Sequence, residues 1–205
     1  MQVVALISQK GGSGKTTTAI HLAVASHLAG KQVLLIDLDP QASASKWKDL
    51  RTNDAPVVIS AQASRLAQTL ETAHKANADL VFIDTPPHSD GIALATMRAS
   101  DLILIPCRPS ILDLQAIKNT IDLVQTIKKR AFVVFTAVPI QGSLATQATE
   151  AITPLGVEVC PHKISQRATF QHALTAGKSA QEYERSGKAS EETAALYEWL
   201  AQVLS

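Results

Sequence analysis

What this sequence lacks narrows its function before any motif is read. It has only two cysteines, Cys107 and Cys160, far apart and without a C-x-x-C. That pattern predicts neither a disulfide framework nor a zinc or iron–sulfur site, and both are expected to be buried thiols. The histidines (His21, His27, His74, His88, His162 and His172) are scattered without metal-ligand spacing. An excess of charge of either sign is missing too: 19 basic residues face 18 acidic ones, for a net charge of +1. Nor are the bases segregated, since residues 98–130 hold six against three acids and residues 131–205 hold five against seven. Bulk charge therefore gives no reason to expect a nucleic-acid partner. No apolar run approaches the ~18 residues of a membrane span. No charged n-region or small-residue cleavage site opens the chain, so a cytoplasmic protein is expected. Linkers, repeats and low-complexity segments are absent, which leaves one domain over residues 1–205.

What is present is an alternation. Apolar runs at 3–7, 33–36, 57–59, 80–83, 102–105, 132–137 and 157–159 read as strands. Helical patterns lie between them at 17–29, 43–51, 62–76, 91–99, 112–129 and 144–154, and again at 167–176 and 191–204. Pro106 is expected to end the fifth strand. Repeated β-then-α units predict an α/β fold, with a mostly parallel central sheet and helices on both faces. Ligands of such folds bind beyond the carboxyl ends of the strands.

The stretch Gln9-Lys10-Gly11-Gly12-Ser13-Gly14-Lys15-Thr16-Thr17 joins the first strand to the first helix. Successive backbone N–H groups in such a glycine-rich turn curl round an anion, and the helix N-terminus adds its positive dipole end. Gly11 to Thr17 are thus candidate phosphate binders, with Lys15 on the β/γ-phosphates and the Thr16 hydroxyl on Mg²⁺. Two further strands end in carboxylates. Asp37-Leu38-Asp39-Pro40-Gln41 follows the second, and Asp84-Thr85-Pro86-Pro87 closes a four-residue apolar run, the Walker B pattern.

The usual phosphate loop, G-x-x-x-x-G-K-[ST], has a glycine where this chain has Gln9. What matches instead is K-G-G-x-G-K-[ST]-T, with Lys10 as the added lysine. This deviant Walker A loop, with D-x-D-P-Q and D-T-P-P, resembles the ParA/MinD family of dimerising ATPases. The likeness reaches the tail, where Ile164 to Phe170, Gly177-Lys178-Ser179 and Glu182-Tyr183 are similar to short ParA proteins lacking an N-terminal DNA-binding domain. The resemblance implies a P-loop NTPase-like fold, ATP and Mg²⁺ as cofactors, and hydrolysis of ATP to ADP and phosphate. By carry-over, Asp39 orients the attacking water, Asp37 stands in the outer shell of the Mg²⁺, and Asp84 serves the metal's water shell. Lys10 crosses to touch the partner subunit's ATP, so Lys10, Lys15 and Asp39 form the catalytic set of a homodimer. The guanine-reading N-K-x-D is absent. Where a base-binding loop is expected the chain reads Ala137-Val138-Pro139-Ile140, which makes Pro139 a nucleotide candidate and ATP the expected nucleotide.

The same resemblance implies non-specific binding to DNA, with Arg167, Lys178, Arg185 and Lys188 as candidates, nucleoid association, and a cargo-bound partner that stimulates hydrolysis. The cargo (plasmid, chromosome region or protein complex) is left open. A MinD-like membrane-surface role is the main alternative. The final helix argues against it: Leu196, Trp199, Leu200, Val203 and Leu204 form a stripe, but the polar face carries Glu191, Glu192 and Glu198 instead of cations. A metabolic P-loop ligase or transferase lacks any extra substrate motif, and an iron–sulfur reductase lacks the cysteines.

Overall fold

A computed structural model describes residues 1–205. In chain order it contains β1 (Gln2–Leu6), α1 (Lys15–Leu28), β2 (Val33–Asp37), α2 (Ser43–Asp49), β3 (Val57–Ser60), α3 (Leu66–Lys75) and β4 (Leu80–Asp84). There follow α4 (Asp90–Ala99), β5 (Leu102–Cys107), α5 (Ile111–Ala116), α6 (Lys118–Ile127), β6 (Ala131–Phe135), α7 (Leu144–Ile152) and β7 (Glu158–Val159). The last third is helical: α8 (Ala168–Thr175), α9 (Ala180–Tyr183) and α10 (Lys188–Leu204).

All seven strands pair in parallel in the order β3-β2-β4-β1-β5-β6-β7. Side chains alternate across the sheet. Val4, Leu6, Leu35, Phe82, Leu104 and Val134 face one core, which α1, α8 and α10 cover. Ala5, Ile7, Ile103, Ile105 and Val133 face the other with α4, α6 and α7, while Ile36, Val81 and Ile83 pack there with α3. Both faces are filled, which is why β2 and β4 are apolar up to their closing aspartates, Asp37 and Asp84, and buried at every residue. Leu196 and Leu200 of α10 are buried in the first core, with Trp199, Val203 and Leu204 packed against it. That stripe belongs to the protein's own interior. No helix is long and apolar enough to cross a membrane.

Several boundaries differ from the sequence expectation. β5 runs through Pro106 to Cys107 instead of ending before it. β1 pairs with β5 only as far as Leu104, then turns away as the phosphate loop, so the missing N–H of Pro106 deprives β1 of nothing. β6 stops at Phe135: the Thr136 N–H makes a last bond to the Cys107 carbonyl of β5 at 2.9 Å, and Ala137 then turns off at φ 47°. The pattern over 112–129 resolves into α5 and α6 around Ile117, and Lys128 at φ 53° ends the second. α9 is an extra short helix, set by a capping box between Ser179 and Glu182. Before it, Gly177 stands at φ +66°, and a Cβ there would lie 2.4 Å from the Leu50 carbonyl oxygen. Only glycine lets the tail close on the end of α2.

Candidate active site

β1, β2 and β4 are neighbours, so their carboxyl ends bring the phosphate loop, Asp37 and Asp84 together. Leu6 lies opposite Asp84, and Asp37 opposite Asp84, in the strand register. The loop takes left-handed turns at Gly12 (φ 73°) and Gly14 (φ 91°), not at Gln9, which explains why that position needs no glycine. A Cβ on Gly14 would meet the Thr136 side chain at 3.2 Å. Thr136 in turn donates from Oγ1 to the Ser13 carbonyl at 2.6 Å, fastening the loop to the end of β6. Gln9 accepts from the His88 amide at 3.1 Å and donates to Asp90, which ties the loop to the segment after Asp84. The first helical bond, Thr18 N–H to Gly14 O at 2.9 Å, starts α1 directly beneath the loop.

A trough of about 250 Å³ follows the loop, lined by Gly11 to Thr17 with Asp39, Gln41, Ser43 and Pro87. Lys15 is buried, and its Nζ donates to the Lys10 carbonyl at 3.2 Å. Burial lowers its pKa, against the opposing pull of Asp84 and Asp39. Thr16 Oγ1 donates to Asp84 Oδ2 at 2.6 Å. The other oxygen, Asp84 Oδ1, is buried with no hydrogen-bond partner. Burial pushes the Asp84 carboxyl up to about 7, helped by Asp37 and opposed by the Thr16 hydrogen bond. An orphaned carboxylate oxygen beside a threonine hydroxyl suits a hydrated divalent cation, so these residues fit Mg²⁺. Ser13 Oγ and Thr18 Oγ1, also buried without partners, suit a phosphate-rich ligand.

Asp37 has a different setting. Its Oδ1 accepts from the Asp39 amide at 3.1 Å, and its Oδ2 from the Ser45 amide at 3.0 Å. Both oxygens hold backbone, so Asp37 fixes the loop bearing Asp39 and the start of α2. Asp39 itself is half-buried on the trough wall, accepting from the Gln41 amide at 2.9 Å.

Lys10 points away from the trough. Its Nζ meets Asp113 Oδ1 at 2.8 Å, on α5, and it remains 37% exposed while Asp113 is almost covered. Asp113 was not legible as a site residue, because nothing near it in sequence signals the loop. Around this pair the surface is apolar: Ile111 and Leu112 are 75% and 71% exposed, and Ile140 and Leu144 are also exposed.

A second cavity of about 250 Å³ opens on the flank of the trough, sharing Gly12, Gly14 and Thr17 with it. Its far wall is Thr136, Ala137, Gln166, Arg167 and Phe170. Pro139, the expected base-binding residue, does not line it. The turn at Ala137 and the bridge from Val138 to Ser165 present residues 136–137 and 164–167 to the loop, and Pro139 falls beyond.

The four expected DNA-binding cations divide. Arg167 is held by Glu192 at 2.8 Å, and Lys188 pairs with Glu191 at 2.8 Å. Lys178 and Arg185 are exposed and enter no ion pair. Trp47, expected to serve packing, is buried in the core and donates from Nε1 to the Lys178 carbonyl at 3.2 Å. His21, nearly two turns into α1, is buried and neutral: burial pushes it down to about 4, and its Nδ1 meets the Thr17 carbonyl. Both cysteines are buried free thiols, each pushed up to about 12 by burial. No cluster of His, Cys, Asp or Glu is arranged to hold a metal by itself. A cavity of about 470 Å³ lies between β3 and α3, and none of the expected site residues lines it.

The model of the CobQ/CobB/MinD/ParA nucleotide binding domain matches residues 4–180. The chain belongs to this family. Among curated relatives, "maintenance of carboxysome distribution protein A" of Halothiobacillus neapolitanus is 32% identical over 186 residues, covering 86% of this chain and 85% of the relative. The protein of that name from Gloeobacter kilaueensis is 42% identical over 123 residues, covering 58% of this chain and 55% of the relative. Among solved structures, the septum site-determining protein MinD of Pyrococcus horikoshii, complexed with Mg-ADP, superposes with a TM-score of 0.82. At 16% identity, with 100% of this chain and 97% of that one covered, it shares the fold. The family fold, the parallel sheet and the nucleotide-binding character expected from the sequence are therefore established.

Proposed function

We propose that this chain is a ParA-type positioning ATPase: two copies pair on ATP, the pair holds DNA without sequence preference, and a cargo-bound partner stimulates hydrolysis and release. The observation that carries this reading is Lys10. It sits at the crest of the phosphate loop yet turns out to Asp113, amid exposed Ile111 and Leu112, so its cation is available at a surface instead of in its own trough. A cation delivered to a neighbour's phosphates follows the logic of an arginine finger. Lys15 and the loop amides bind the subunit's own ATP. Thr16 and Asp84 are the residues that would hold Mg²⁺, which would supply charge neutralisation at the phosphates. Asp39, fixed by Asp37, orients water at the open end of the trough. Lys178 and Arg185 supply cations for DNA, whose grip should weaken steeply with salt. The cargo is a plasmid, a chromosome region or a protein assembly; the named relatives serve carboxysome distribution.

Asp39→Ala tests the chemistry. It should bind ATP and still pair, while hydrolysis falls about 10²–10⁴-fold, the usual contribution of a positioned base. Rapid hydrolysis by this variant would remove Asp39 from its role. Leu112→Glu tests the interface. Its side chain is exposed, so folding is unaffected, but losing an apolar contact of about 1.5–3 kcal/mol and gaining a charge should abolish ATP-dependent dimers at micromolar protein. Light scattering with ATP decides; dimers undiminished by the substitution would place the contact elsewhere. A gel shift at low salt with ATP and arbitrary duplex DNA tests the remaining step, and no shift there refutes it.

A further inference from the structure

The geometry points to Arg108 as a nucleotide-contacting residue, placed to hold the α-phosphate and ribose of the subunit's own ATP or ADP; this rests on the nucleotide reading above. No motif singled it out. Arg108 follows the last residue of β5, and its backbone is fixed. Its carbonyl accepts from the Ser110 amide at 2.8 Å and from Cys107 Sγ at 3.2 Å, the Cys107 carbonyl accepts from Thr136 N–H at 2.9 Å, and buried Pro109 comes next. The guanidinium has no such anchor. It enters none of the molecule's ion pairs or side-chain hydrogen bonds, although Lys10 and Arg167 nearby are both paired with carboxylates. Its Nη2 lies 3.8 Å from where a Cβ on Gly12 would stand, against the crest of the phosphate loop.

Its place along the site follows from the two cavities. The trough holds Lys15, Thr16 and Asp39, the end suited to terminal phosphates and metal. The flank cavity holds Thr136, Gln166 and Phe170, and Arg108 lines this cavity alone. Gly12, Gly14 and Thr17 line both. A nucleotide with its terminal phosphates in the trough must run its ribose and base into the flank. Its α-phosphate then lies at the shared residues, beside Arg108. A planar fork of donors on a fixed backbone matches phosphate oxygens bidentately. The contact is independent of the γ-phosphate, so it serves ATP and ADP equally.

The test is calorimetric titration of ADP and of ATP with Mg²⁺ into the wild type, Arg108→Ala and Arg108→Lys. Arg108→Ala should weaken ADP and ATP by the same factor, about 10- to 100-fold for a lost charged hydrogen bond. Arg108→Lys should recover only part of that, having charge without the fork. Because the side chain is exposed and unpaired, both variants should melt at the wild-type temperature. Unchanged ADP affinity overturns the inference, in either of two ways. If ATP-dependent pairing is also unchanged, Arg108 is a solvated side chain; if pairing alone is lost, it reaches the partner's nucleotide instead. Failure of the wild type to bind ADP overturns the nucleotide reading itself, and this inference with it.

Discussion

Lys15→Ala is expected to yield a folded protein that binds neither ATP nor ADP measurably. The ammonium is nearly covered, forms no ion pair, and has one neutral acceptor, the Lys10 carbonyl at 3.2 Å. Burial already disfavours its charge, with Asp84 and Asp39 offering only partial compensation. A buried cation short of partners is costly to the free protein and strongly favourable once phosphates arrive. Its removal should therefore leave the unliganded chain at least as stable as before. Two charge-assisted hydrogen bonds to phosphate are lost, about 3 kcal/mol or more, which is roughly a hundredfold or more in affinity. Thermal melting reads both effects at once: the apo midpoint stays or rises, and the upward shift that nucleotide gives the wild type disappears. A retained nucleotide shift would mean that the triphosphate lies outside this trough.

The second large effect is on stability. Arg51→Ala should cost about 3–5 kcal/mol, the range for stripping one partner from a buried ion pair. The Arg51 side chain is only 2% exposed. It donates to both oxygens of Glu182 at 2.8 and 3.0 Å, and to the carbonyls of Asn53, Ala55 and Gly177, with its guanidinium 4.5 Å from the Trp47 ring centre. Alanine leaves those acceptors stranded. Lysine should recover only part, because one ammonium cannot span the same fork. The pair also sets an acid limit. Burial pulls the Glu182 carboxyl upward, but the bonds from Arg51 and the Ser179 amide outweigh it and hold the carboxyl below its usual 4.5. A carboxylate with a depressed folded value stabilises above its unfolded value, and that share is lost as pH falls through the folded one. Urea denaturation at pH 7 and below pH 4.5 should show wild-type stability falling toward acid, with a shallower fall in Arg51→Ala. Equal acid slopes would detach Glu182 from this role.

The sheet and the phosphate loop were legible because their signals are local. Continuous apolar runs ending in Asp37 and Asp84 marked strands buried on both faces, and the glycine spacing marked the turn. The structure departs from local expectation where a distant neighbour overrode a local rule. Pro106 stays in β5 because β1 has already departed. Pro139 is displaced from the flank cavity because Val138 pairs with Ser165. Arg167 resembled a free cation until Glu192, on the final helix, met it. Lys188 differs, since Glu191 at i+3 was readable in the sequence itself. Asp113 and Arg108 carry no motif; only the turn of β5 into α5 brings them beside the loop. Arg51 closes the helical pattern read over 43–51 with no motif of its own, and the tail that buries it lies more than a hundred residues away.

Asp37 gives the molecule a lever. One carboxylate grips the amides of Asp39 and Ser45 together, so the water-facing loop and the start of α2 form a single solid piece. α2 is seven residues long, about 10 Å at 1.5 Å per residue. Its far end is bolted to the tail through Trp47 on the Lys178 carbonyl and Arg51 on Gly177 and Glu182. No slack segment separates the Asp39 end of the trough from the surface that carries Lys178. A displacement of Asp39 thus either carries Lys178 with it or breaks the Trp47 hydrogen bond, and tryptophan fluorescence would register which.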